Sequence, residues 1–374
     1  MSSEKIRIGI LGASGYTGAE LVRILAGHPN ANIVLMTADR RAGNAFSDVY
    51  PHLGSLNLPG LIAVDDVEWA GVELDAVFCG LPHGTTQEII AGILHNTHHS
   101  LADELVRETD GDLASAIQNQ PKVIDLSADF RLDSVDTYAE WYGHQHHAPH
   151  LQGEAVYGLA EFYREEMRDT RLIACPGCFP TSALLALLPL VKAEMIDNSD
   201  IIIDAKTGVT GAGRAPKEGM LHGEVSEGLH AYNIASHRHG PEIEQELSKA
   251  AGDDMRVSFT AHLAPMNRGI LATSYVRVKN GLSTDDLRQQ LHETYAEEPF
   301  VRVLDEGQSP ATRHVRGSNM ALVSVFKDRI KDRAIVLCAI DNLVKGASGA
   351  AVQNMNIAFG LEETLGLTQQ PLFP

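Results

Sequence analysis

The sequence predicts an α/β protein of two domains, a parallel sheet covered by helices and a following α+β domain. In the first half of the chain, short apolar runs alternate with helical stretches, a pattern typical of parallel strands joined by crossover helices. After Cys178 the pattern changes to strand-like runs with isolated helical stretches, which predicts a second sheet of antiparallel or mixed strands. A length of 374 residues is enough for two or three folding units, each with its own core.

The elements of the first domain follow from the apolar periodicity. A strand at residues 6–11 ends at Gly12 and precedes a helical pattern at 20–25. Further strands are expected at residues 32–36, 74–79 and 123–126. The polar stretch 95–120 permits a helix, whereas 133–153 is rich in histidine and aromatic residues and is expected to be irregular.

The second domain begins with an apolar helix at residues 182–191, which we expect to be interrupted at Pro189 because proline lacks a backbone N–H. Strands are expected at residues 201–203, 257–261, 270–278 and 335–340. Helices are expected at residues 284–295, between the last two strands, and at 344–359 near the end of the chain.

Composition excludes several classes of protein. A net charge of −19 argues against nucleic acid as a partner, although a local basic pocket can still hold an anionic substrate. The chain contains neither a run of about 18 apolar residues nor a secretory signal, so a soluble cytoplasmic protein is expected. Four cysteines in a chain of this length do not form a disulfide framework and fit a reducing compartment.

A glycine-rich turn joins the first strand to the first helix, with the sequence Gly12-Ala13-Ser14-Gly15-Tyr16-Thr17-Gly18. Glycines permit a tight turn and close backbone approach to a pyrophosphate, and the helix N-terminus adds free N–H groups. The spacing G-x-x-G-x-x-G differs from the commoner G-x-G-x-x-G. With these flanks the motif favours a Rossmann-type dinucleotide-binding domain, and the alternative is a plain turn.

The residues after the second strand bear on the choice of dinucleotide. An acidic residue at this point usually binds the ribose 2′-hydroxyl of NAD, whereas arginine accommodates the 2′-phosphate of NADP. The sequence has both, Asp39 followed by Arg40 and Arg41. Two adjacent arginines favour NADP, and an ordinary charged loop is the alternative.

Cys178 is the candidate nucleophile. It lies in Ala174-Cys175-Pro176-Gly177-Cys178-Phe179-Pro180-Thr181, just before a predicted helix, where the helix N-terminus lowers a thiol pKa. A free cysteine is more often a small buried apolar residue, so local features leave both interpretations open. A redox pair with Cys175 is a further alternative, disfavoured because the turn follows a dinucleotide fold without a flavin signature.

Histidines supply the candidate acid–base groups. His237-Arg238-His239 precedes Glu242, so the segment combines two possible bases with a guanidinium that can bind an anion. The other histidines lack the companions of a closed zinc site and are interpreted as solvated loop residues, so no metal is expected. They are His95, His98, His99, His144, His146, His147 and His150. The loop 207–214 can cradle an anion or simply connect two elements.

At this point the sequence resembles the N-acetyl-γ-glutamyl-phosphate reductase family of arginine biosynthesis, nearly from end to end. The resemblance rests on several motifs in the same order. They are the turn 12–18, Leu81-Pro82-His83-Gly84, the run 123–132, Pro176 to Thr181, Gly211-Ala212-Gly213-Arg214, the run 237–243, Asn342 to Gly346 and Asn354-Met355-Asn356. The sequence departs from the family pattern at Ser182 and Ala160.

The resemblance implies the two-domain fold of aspartate-semialdehyde and glyceraldehyde-phosphate dehydrogenases. Residues 1–177 with 343–374 would bind the dinucleotide, and 178–342 would form the catalytic and oligomerisation domain. Cys178 would be the nucleophile, with His237, in preference to His239, as acid–base. The cofactor would be bound by Gly12, Ser14, Gly15, Tyr16, Thr17, Gly18, Arg40, Arg41, Pro82, Ser127 and Asn342. Candidate substrate-binding residues are Arg131, Arg214 and Arg238.

The activity implied by the resemblance is NADPH-dependent reduction of N-acetyl-glutamyl 5-phosphate to the semialdehyde through a thioester on Cys178. A homodimer or homotetramer is expected on the same ground. Two alternatives remain at this stage. One is a reductase of a related acyl phosphate, such as aminoadipyl or aspartyl phosphate, and the other is a nucleotide-binding regulator without catalysis.

Overall fold

A computed structural model describes residues 5–105 and 120–373. The chain forms two compact units, Met1–Cys175 with Ala351–Gly366, and Pro176–Ala350 with Leu367–Pro374. The expected domains placed all of 343–374 in the first unit. The structure differs because the turn before residue 351 and the segment after 366 both belong to the second unit.

The first unit contains a sheet of seven parallel strands in the order β3-β2-β1-β4-β5-β7-β6. The strands are β1 Ile6–Leu11, β2 Ala31–Thr37, β3 Leu61–Ile62, β4 Ala76–Cys79, β5 Lys122–Asp125, β6 Val156–Tyr157 and β7 Leu172–Ala174. The strands β1 and β4 lie side by side. From β1 the chain adds β2 and β3 on one side of this pair, and from β4 it adds the later strands on the other side, so the strand order reverses between them. Ligands of such sheets bind outside the carboxyl ends of the strands at this switch point.

Up to Cys175, the described residues of the first unit contain five α-helices. They are α1 Tyr16–Leu25, α2 Phe46–Val49, α3 Thr86–Leu105, α4 Val135–Tyr142 and α5 Ala160–Asp169. The predicted helical stretch 95–120 is occupied by α3 as far as Leu105, and residues 106–119 lie outside the described part of the chain.

The expectation that residues 133–153 are irregular is wrong. They contain α4 and a 3₁₀ helix at Pro149–Glu154. Ser134 caps α4 by accepting the N–H of Thr137 at 3.1 Å, and Gly143 ends it in the left-handed conformation with φ 79°. Serine and glycine at these two positions are ordinary helix boundary signals, so the element was readable from the sequence.

The second unit contains a mixed sheet in the order β12-β13-β14-β11-β8-β10-β9. The strands are β8 Ile196–Gly208, β9 His230–Tyr232, β10 Ser258–Ala264, β11 Ile270–Val278, β12 Val301–Val303, β13 Ala321–Lys327 and β14 Arg333–Ile340. Neighbouring strands are antiparallel except for β8 with β10 and β12 with β13, which are parallel. The sheet is therefore mixed.

The helices of the second unit are α6 Cys178–Lys192, α7 His222–Val225, α8 His239–Ala251 and α9 Thr284–Thr294. A π-helical turn at Val344–Ser348 leads into α10 Gly349–Ala358, which belongs to the first unit from Ala351 onward. The expected helical stretch 344–359 is confirmed as far as Ala358. None of the helices in the described ranges is both long and apolar enough to cross a membrane.

The expected interruption of α6 at Pro189 is wrong, because the helix continues through it. Proline removes the N–H that would bond to the carbonyl four residues earlier, Leu185. The hydroxyl of Tyr295 donates to that carbonyl at 2.7 Å, so the group freed by Pro189 is paired in the core. A partner that distant in sequence could not be inferred from the local pattern.

Candidate active site

The glycine turn lies at the switch point of the first unit, between the carboxyl end of β1 and the start of α1. Gly12 has φ +78°, and a methyl group placed on it would lie 2.6 Å from the carbonyl oxygen of Gly80, which follows β4. A methyl group on Gly18 would lie 2.4 Å from the carbonyl oxygen of Gly12. Packing inside the protein therefore requires glycine at both positions.

Gly15 is different, because its nearest neighbour would be the Gly12 oxygen at 3.4 Å, an ordinary contact. It is the N-cap residue of α1 and has no side chain that can satisfy the N–H groups of the first helical turn. The hydroxyl of Tyr50 contacts the carbonyls of Ser14 at 2.9 Å and Gly15 at 3.1 Å and so tethers the turn. The turn, which includes Tyr16 and Thr17, fits a pyrophosphate, since glycine at position 15 is not explained by protein contacts.

Arg40 and Arg41 lie in an exposed turn after β2. Among residues 5–105 and 120–373, no carboxylate forms an ion pair with either guanidinium, and Asp39 beside them is exposed as well. The carboxyl end of β2 is where the ribose of the adenosine half lies in folds of this type. The two guanidiniums are therefore available to a 2′-phosphate.

The loop after β4, which includes Pro82, is tied to the loop after β5 by buried Asp129. This carboxylate accepts the N–H of Gly84 at 2.8 Å and the hydroxyl of Tyr138 at 2.8 Å. Ser127 is 1% exposed, and its hydroxyl donates to Asp125 at 2.7 Å. Burial raises the pKa of Asp125 to about 7. Ser127, expected to bind the cofactor, thus turns its hydroxyl into the interior.

Arg131, expected to bind substrate, is also used inside the first unit. Its side chain is buried and donates to the carbonyl of Cys175 at 2.7 Å and to that of Leu126 at 2.9 Å. These carbonyls follow β7 and β5, so the guanidinium joins two neighbouring strand ends. These hydrogen bonds hold the two strand ends together, and a part for Arg131 in substrate binding stays a prediction.

Cys178 is the first residue of α6, and Gly177 is its N-cap. The thiol residue is partly exposed, whereas Cys79, Cys175 and Cys338 are buried. All four cysteines lie in described residues, and none forms a disulfide. A methyl group on Gly346 would lie 2.8 Å from the Cβ of Cys178, so the π-helical turn packs directly against Cys178.

Cys175 differs from Cys178 in its surroundings. It is 1% exposed, and its Sγ accepts a long hydrogen bond from Nδ2 of Asn354 at 3.6 Å. Burial raises the pKa of Cys175 to about 12, so it stays a thiol at neutral pH. This disfavours the redox pair that the spacing Cys175-x-x-Cys178 left open.

His237 accepts a hydrogen bond from the backbone of its neighbour. The N–H of His239 donates to its Nδ1 at 3.1 Å, so the neutral ring carries its proton on Nε2. Burial among aromatic rings, and then the charge of Arg238, lowers the pKa of His237 to about 4. Its ring packs against two aromatic rings, with its centroid 5.5 Å from that of Phe179 and 5.3 Å from that of Phe259.

His239 lies against the peptide that precedes Cys178. A methyl group on Gly177 would lie 2.5 Å from Nε2 of His239. The centroids of the two histidine rings are 4.7 Å apart. The atoms nearest to the methyl position on Gly177 are those of His239. The structure thus gives the two histidines different surroundings, which their sequence positions did not distinguish.

Two residues that sequence reasoning did not assign complete the surroundings of Cys178. Glu242, 1% exposed, accepts the N–H of Gly177 at 2.8 Å. Burial, and then the charge of the nearby Cys178 thiolate, raises the pKa of the Tyr232 phenol. The phenol therefore stays protonated at neutral pH and can donate a hydrogen bond. The sequence signal for Glu242 was its position three residues after His239.

Three further predicted residues lie in this unit, Arg214, Arg238 and Asn342. Arg214 and Arg238 are exposed. Asn342 accepts the N–H of Gly269 at 2.8 Å and donates to Oγ1 of Thr210 at 3.0 Å. Its carboxamide therefore anchors the glycine-rich loop after β8.

The histidines interpreted as solvated loop residues are in part placed differently. His95 lies on α3, with its Nε2 3.1 Å from Nε2 of His150, and His146 is buried and contacts the carbonyl of Asp129 at 2.7 Å. The side chains of His98 and His99 lie outside the described part. Within the described residues, no three His, Cys, Asp or Glu side chains form a metal-binding group.

Comparison with known proteins identifies the family. Residues 7–103 match the semialdehyde dehydrogenase NAD binding domain, and residues 178–342 match the semialdehyde dehydrogenase dimerisation domain. The N-acetyl-gamma-glutamyl-phosphate reductase of Rhodospirillum rubrum is 55% identical over 372 residues, covering 100% of both chains. A probable chloroplastic N-acetyl-gamma-glutamyl-phosphate reductase of Oryza sativa subsp. japonica is 54% identical and covers 100% of this chain and 84% of its own.

Solved structures show the same fold at low sequence identity. Aspartate semialdehyde dehydrogenase II of Vibrio cholerae superposes with a TM-score of 0.66 at 16% identity, covering 96% of this chain and 99% of its own. The Candida albicans aspartate semialdehyde dehydrogenase with NADP gives a TM-score of 0.64 at 16% identity, covering 95% and 98%. The chain therefore belongs to the N-acetyl-gamma-glutamyl-phosphate reductase family, with the nicotinamide-dinucleotide-binding and dimerisation domains of the semialdehyde dehydrogenases.

Proposed function

We propose that this chain reduces N-acetyl-glutamyl 5-phosphate to N-acetyl-glutamate 5-semialdehyde, with NADPH as reductant and release of phosphate. The observation that carries the proposal is the start of α6, where partly exposed Cys178 follows a glycine in contact with His239. Relatives with 54 to 55% identity over nearly the whole chain bear the name of this activity. The reaction belongs to arginine biosynthesis in the family that the motifs indicate.

The thiol provides the covalent route. Attack of the Cys178 thiolate on the acyl carbon breaks the bond to the phosphate oxygen, and phosphate leaves with that electron pair. His239 takes the thiol proton and returns it to the leaving phosphate. The product on Cys178 is a thioester, whose carbon accepts hydride more readily than that of a carboxylate.

Reduction of the thioester requires an external hydride, and a bound NADPH supplies it. The oxyanion that forms on the acyl carbon lies near the first turn of α6, whose backbone N–H groups and dipole stabilise negative charge. Cleavage of the bond between carbon and sulfur then releases the semialdehyde and regenerates the Cys178 thiolate. A solvent proton returns to the thiolate through His239.

We assign the acid–base role to His239 and not, as the resemblance favoured, to His237. A neutral His237 has Nδ1 occupied by a backbone N–H, and its pKa of about 4 leaves it uncharged at neutral pH. His239 contacts the residue before the nucleophile. Arg214 and Arg238 are the candidate anion-binding residues, because both are exposed and Arg131 is buried among carbonyls.

The proposed cofactor is NADP, bound on the glycine turn with its 2′-phosphate at Arg40 and Arg41. Ser127 and Asn342 then act by holding loops, since their side chains are engaged with other residues of their own units. A variant with both Arg40→Ala and Arg41→Ala is expected to raise KM for NADPH at least about 10-fold and to leave KM for NADH unchanged. Equal effects on both cofactors would contradict the assignment.

The deciding experiment replaces the nucleophile. Cys178→Ser is expected to fold and to bind NADP while losing essentially all turnover, at least about 10⁴-fold. Cys175→Ser is the matched control and is expected to keep activity, because that thiol is buried and protonated. Near-normal turnover of Cys178→Ser would show that no thioester forms.

The reverse reaction identifies the substrate. Wild-type protein, NADP and phosphate are combined separately with N-acetyl-glutamate semialdehyde, aspartate semialdehyde and an aminoadipate semialdehyde, and NADPH formation is followed. We expect the first aldehyde to be oxidised with by far the highest kcat/KM. Preference for another aldehyde would assign the related acyl phosphate as substrate, and no reaction with any of them would favour a regulator.

A homodimer or homotetramer is proposed for the active form, since the second unit matches a dimerisation domain.

A further inference from the structure

Glu242 is a buried carboxylate beside the nucleophile. It lies in the first turn of α8, is 1% exposed, and accepts the N–H of Gly177 at 2.8 Å. Burial of a carboxylate is costly, and an apolar residue of similar volume often gives an equally or more stable fold. The burial of Glu242 therefore indicates a role at the cysteine turn, residues 175–178, and not a contribution to stability.

The N-terminus of α6 lacks its own acceptor for this N–H. Gly177 is the N-cap residue, and in a capping box a Glu or Gln at the third helical position accepts the N-cap N–H. The third position of α6 is Pro180, whose side chain accepts no hydrogen bond. Glu242 supplies from a second helix the acceptor that α6 does not contain.

The same turn of α8 also carries His239. His239 and Glu242 are three residues apart, so both side chains lie on one face of the helix. His239 contacts the Cα side of Gly177, where a methyl group would lie 2.5 Å from Nε2, and Glu242 binds its N–H. One helix start therefore contacts the peptide before Cys178 through two side chains.

We propose that Glu242 is a positioning residue, which holds the peptide of Gly177 so that Sγ of Cys178 stays within reach of His239. The role rests on the proposed function, in which Cys178 is the nucleophile and His239 its base. Displacement of a reacting group by about 1 Å can cost 10²-fold in rate. Loss of this hydrogen bond therefore lowers kcat, while NADP binding on the glycine turn is unaffected.

Two substitutions separate the hydrogen bond from the charge. Glu242→Gln removes the charge but keeps an oxygen that accepts the N–H of Gly177, whereas Glu242→Leu removes both. We expect kcat of Glu242→Gln within about 10-fold of wild type and kcat of Glu242→Leu about 10²-fold lower, with smaller changes in KM. Glu242→Ala serves the same purpose if Glu242→Leu does not fold.

Glu246 provides the matched control, as a second buried glutamate one turn further along α8. It is buried and accepts from Nζ of Lys249 at 2.8 Å. Glu246→Leu is expected to leave kcat unchanged at a temperature where the protein is folded. If Glu242→Leu behaves like Glu246→Leu, Glu242 is a structural residue only and the proposal is wrong.

Alkylation with iodoacetamide gives a readout that needs no substrate. The other three cysteines are buried, so reaction of the folded protein reports on Cys178. At pH 7 we expect Glu242→Leu to react at least about 10-fold more slowly than Glu242→Gln, because its thiol is misplaced from His239. Equal rates, or a Gln variant as slow as the Leu variant, would overturn the proposal. If the variants differ in alkylation but wild type reduces no acyl phosphate, the proposed function fails and the positioning role stands.

Discussion

The glycine turn of the first unit and the cysteine turn of the second each follow a strand and open a helix, but they are held by different parts of the protein. In the first, Gly12 and Gly18 fit against backbone atoms of Gly80 and of the turn itself. In the second, Gly177 is fitted between two side chains of another helix, His239 and Glu242. The glycine turn is therefore fitted against main chain, and the cysteine turn against side chains that are distant in sequence.

This difference has a chemical basis. A pyrophosphate is bound by backbone N–H groups, which every residue supplies, so only close approach has to be guaranteed. A nucleophile needs a base whose atoms are within hydrogen-bond reach, and such a base comes from another element. Substitutions in the first turn should consequently change binding, and substitutions in the second should change the rate of the chemical step.

After that of Cys178→Ser, the largest expected effect tests the second turn through its histidines. His239→Asn is expected to lower kcat by about 10²- to 10⁴-fold, because proton transfer to and from Cys178 is lost. His237→Asn is expected to lower kcat less than about 10-fold, since an amide oxygen can still accept the N–H of residue 239. Steady-state kinetics with saturating NADPH measure both. A larger fall for His237→Asn would return the base to that residue.

Matched glycine substitutions compare the two turns directly. Gly177→Ala places a methyl group 2.5 Å from Nε2 of His239, so we expect kcat to fall about 10²-fold and the fold to lose about 1–3 kcal/mol. Gly15→Ala meets nothing closer than 3.4 Å, so its melting temperature is expected to be unchanged. Its KM for NADPH is expected to rise about 10-fold, since a methyl group opposes close approach of the pyrophosphate. If Gly15→Ala changes kcat and not KM, the turn does not bind the dinucleotide.

How much the sequence predicts follows the same division. The eight predicted strands and the glycine turn lie where they were expected, because apolar periodicity and glycine spacing are local properties of the chain. The strands β3, β6, β7, β9, β12 and β13 were not predicted. The continuation of α6 through Pro189 depends on Tyr295, and the placement of Gly177 depends on Glu242, both far away in sequence. The interior positions of Ser127 and Arg131 likewise follow from tertiary contacts that no local pattern contains.

The smallest expected effect concerns the pH dependence of stability. The glycine turn contains no group that titrates near neutral pH, whereas the cysteine turn packs against His237, whose pKa falls from 6.5 to about 4 on folding. Between these values the unfolded chain binds a proton that the folded protein does not, so stability is complete above pH 6.5 and decreases as pH falls. Between pH 7.5 and pH 5 the titration of His237 is expected to lower the free energy of unfolding by about 2 kcal/mol. Urea unfolding of wild type and His237→Asn at both pH values measures it, because His28 and His146, whose pKa values burial also lowers, contribute equally to both proteins. An identical pH dependence in the two proteins would show that His237 is as accessible to protons in the folded state as in the unfolded one.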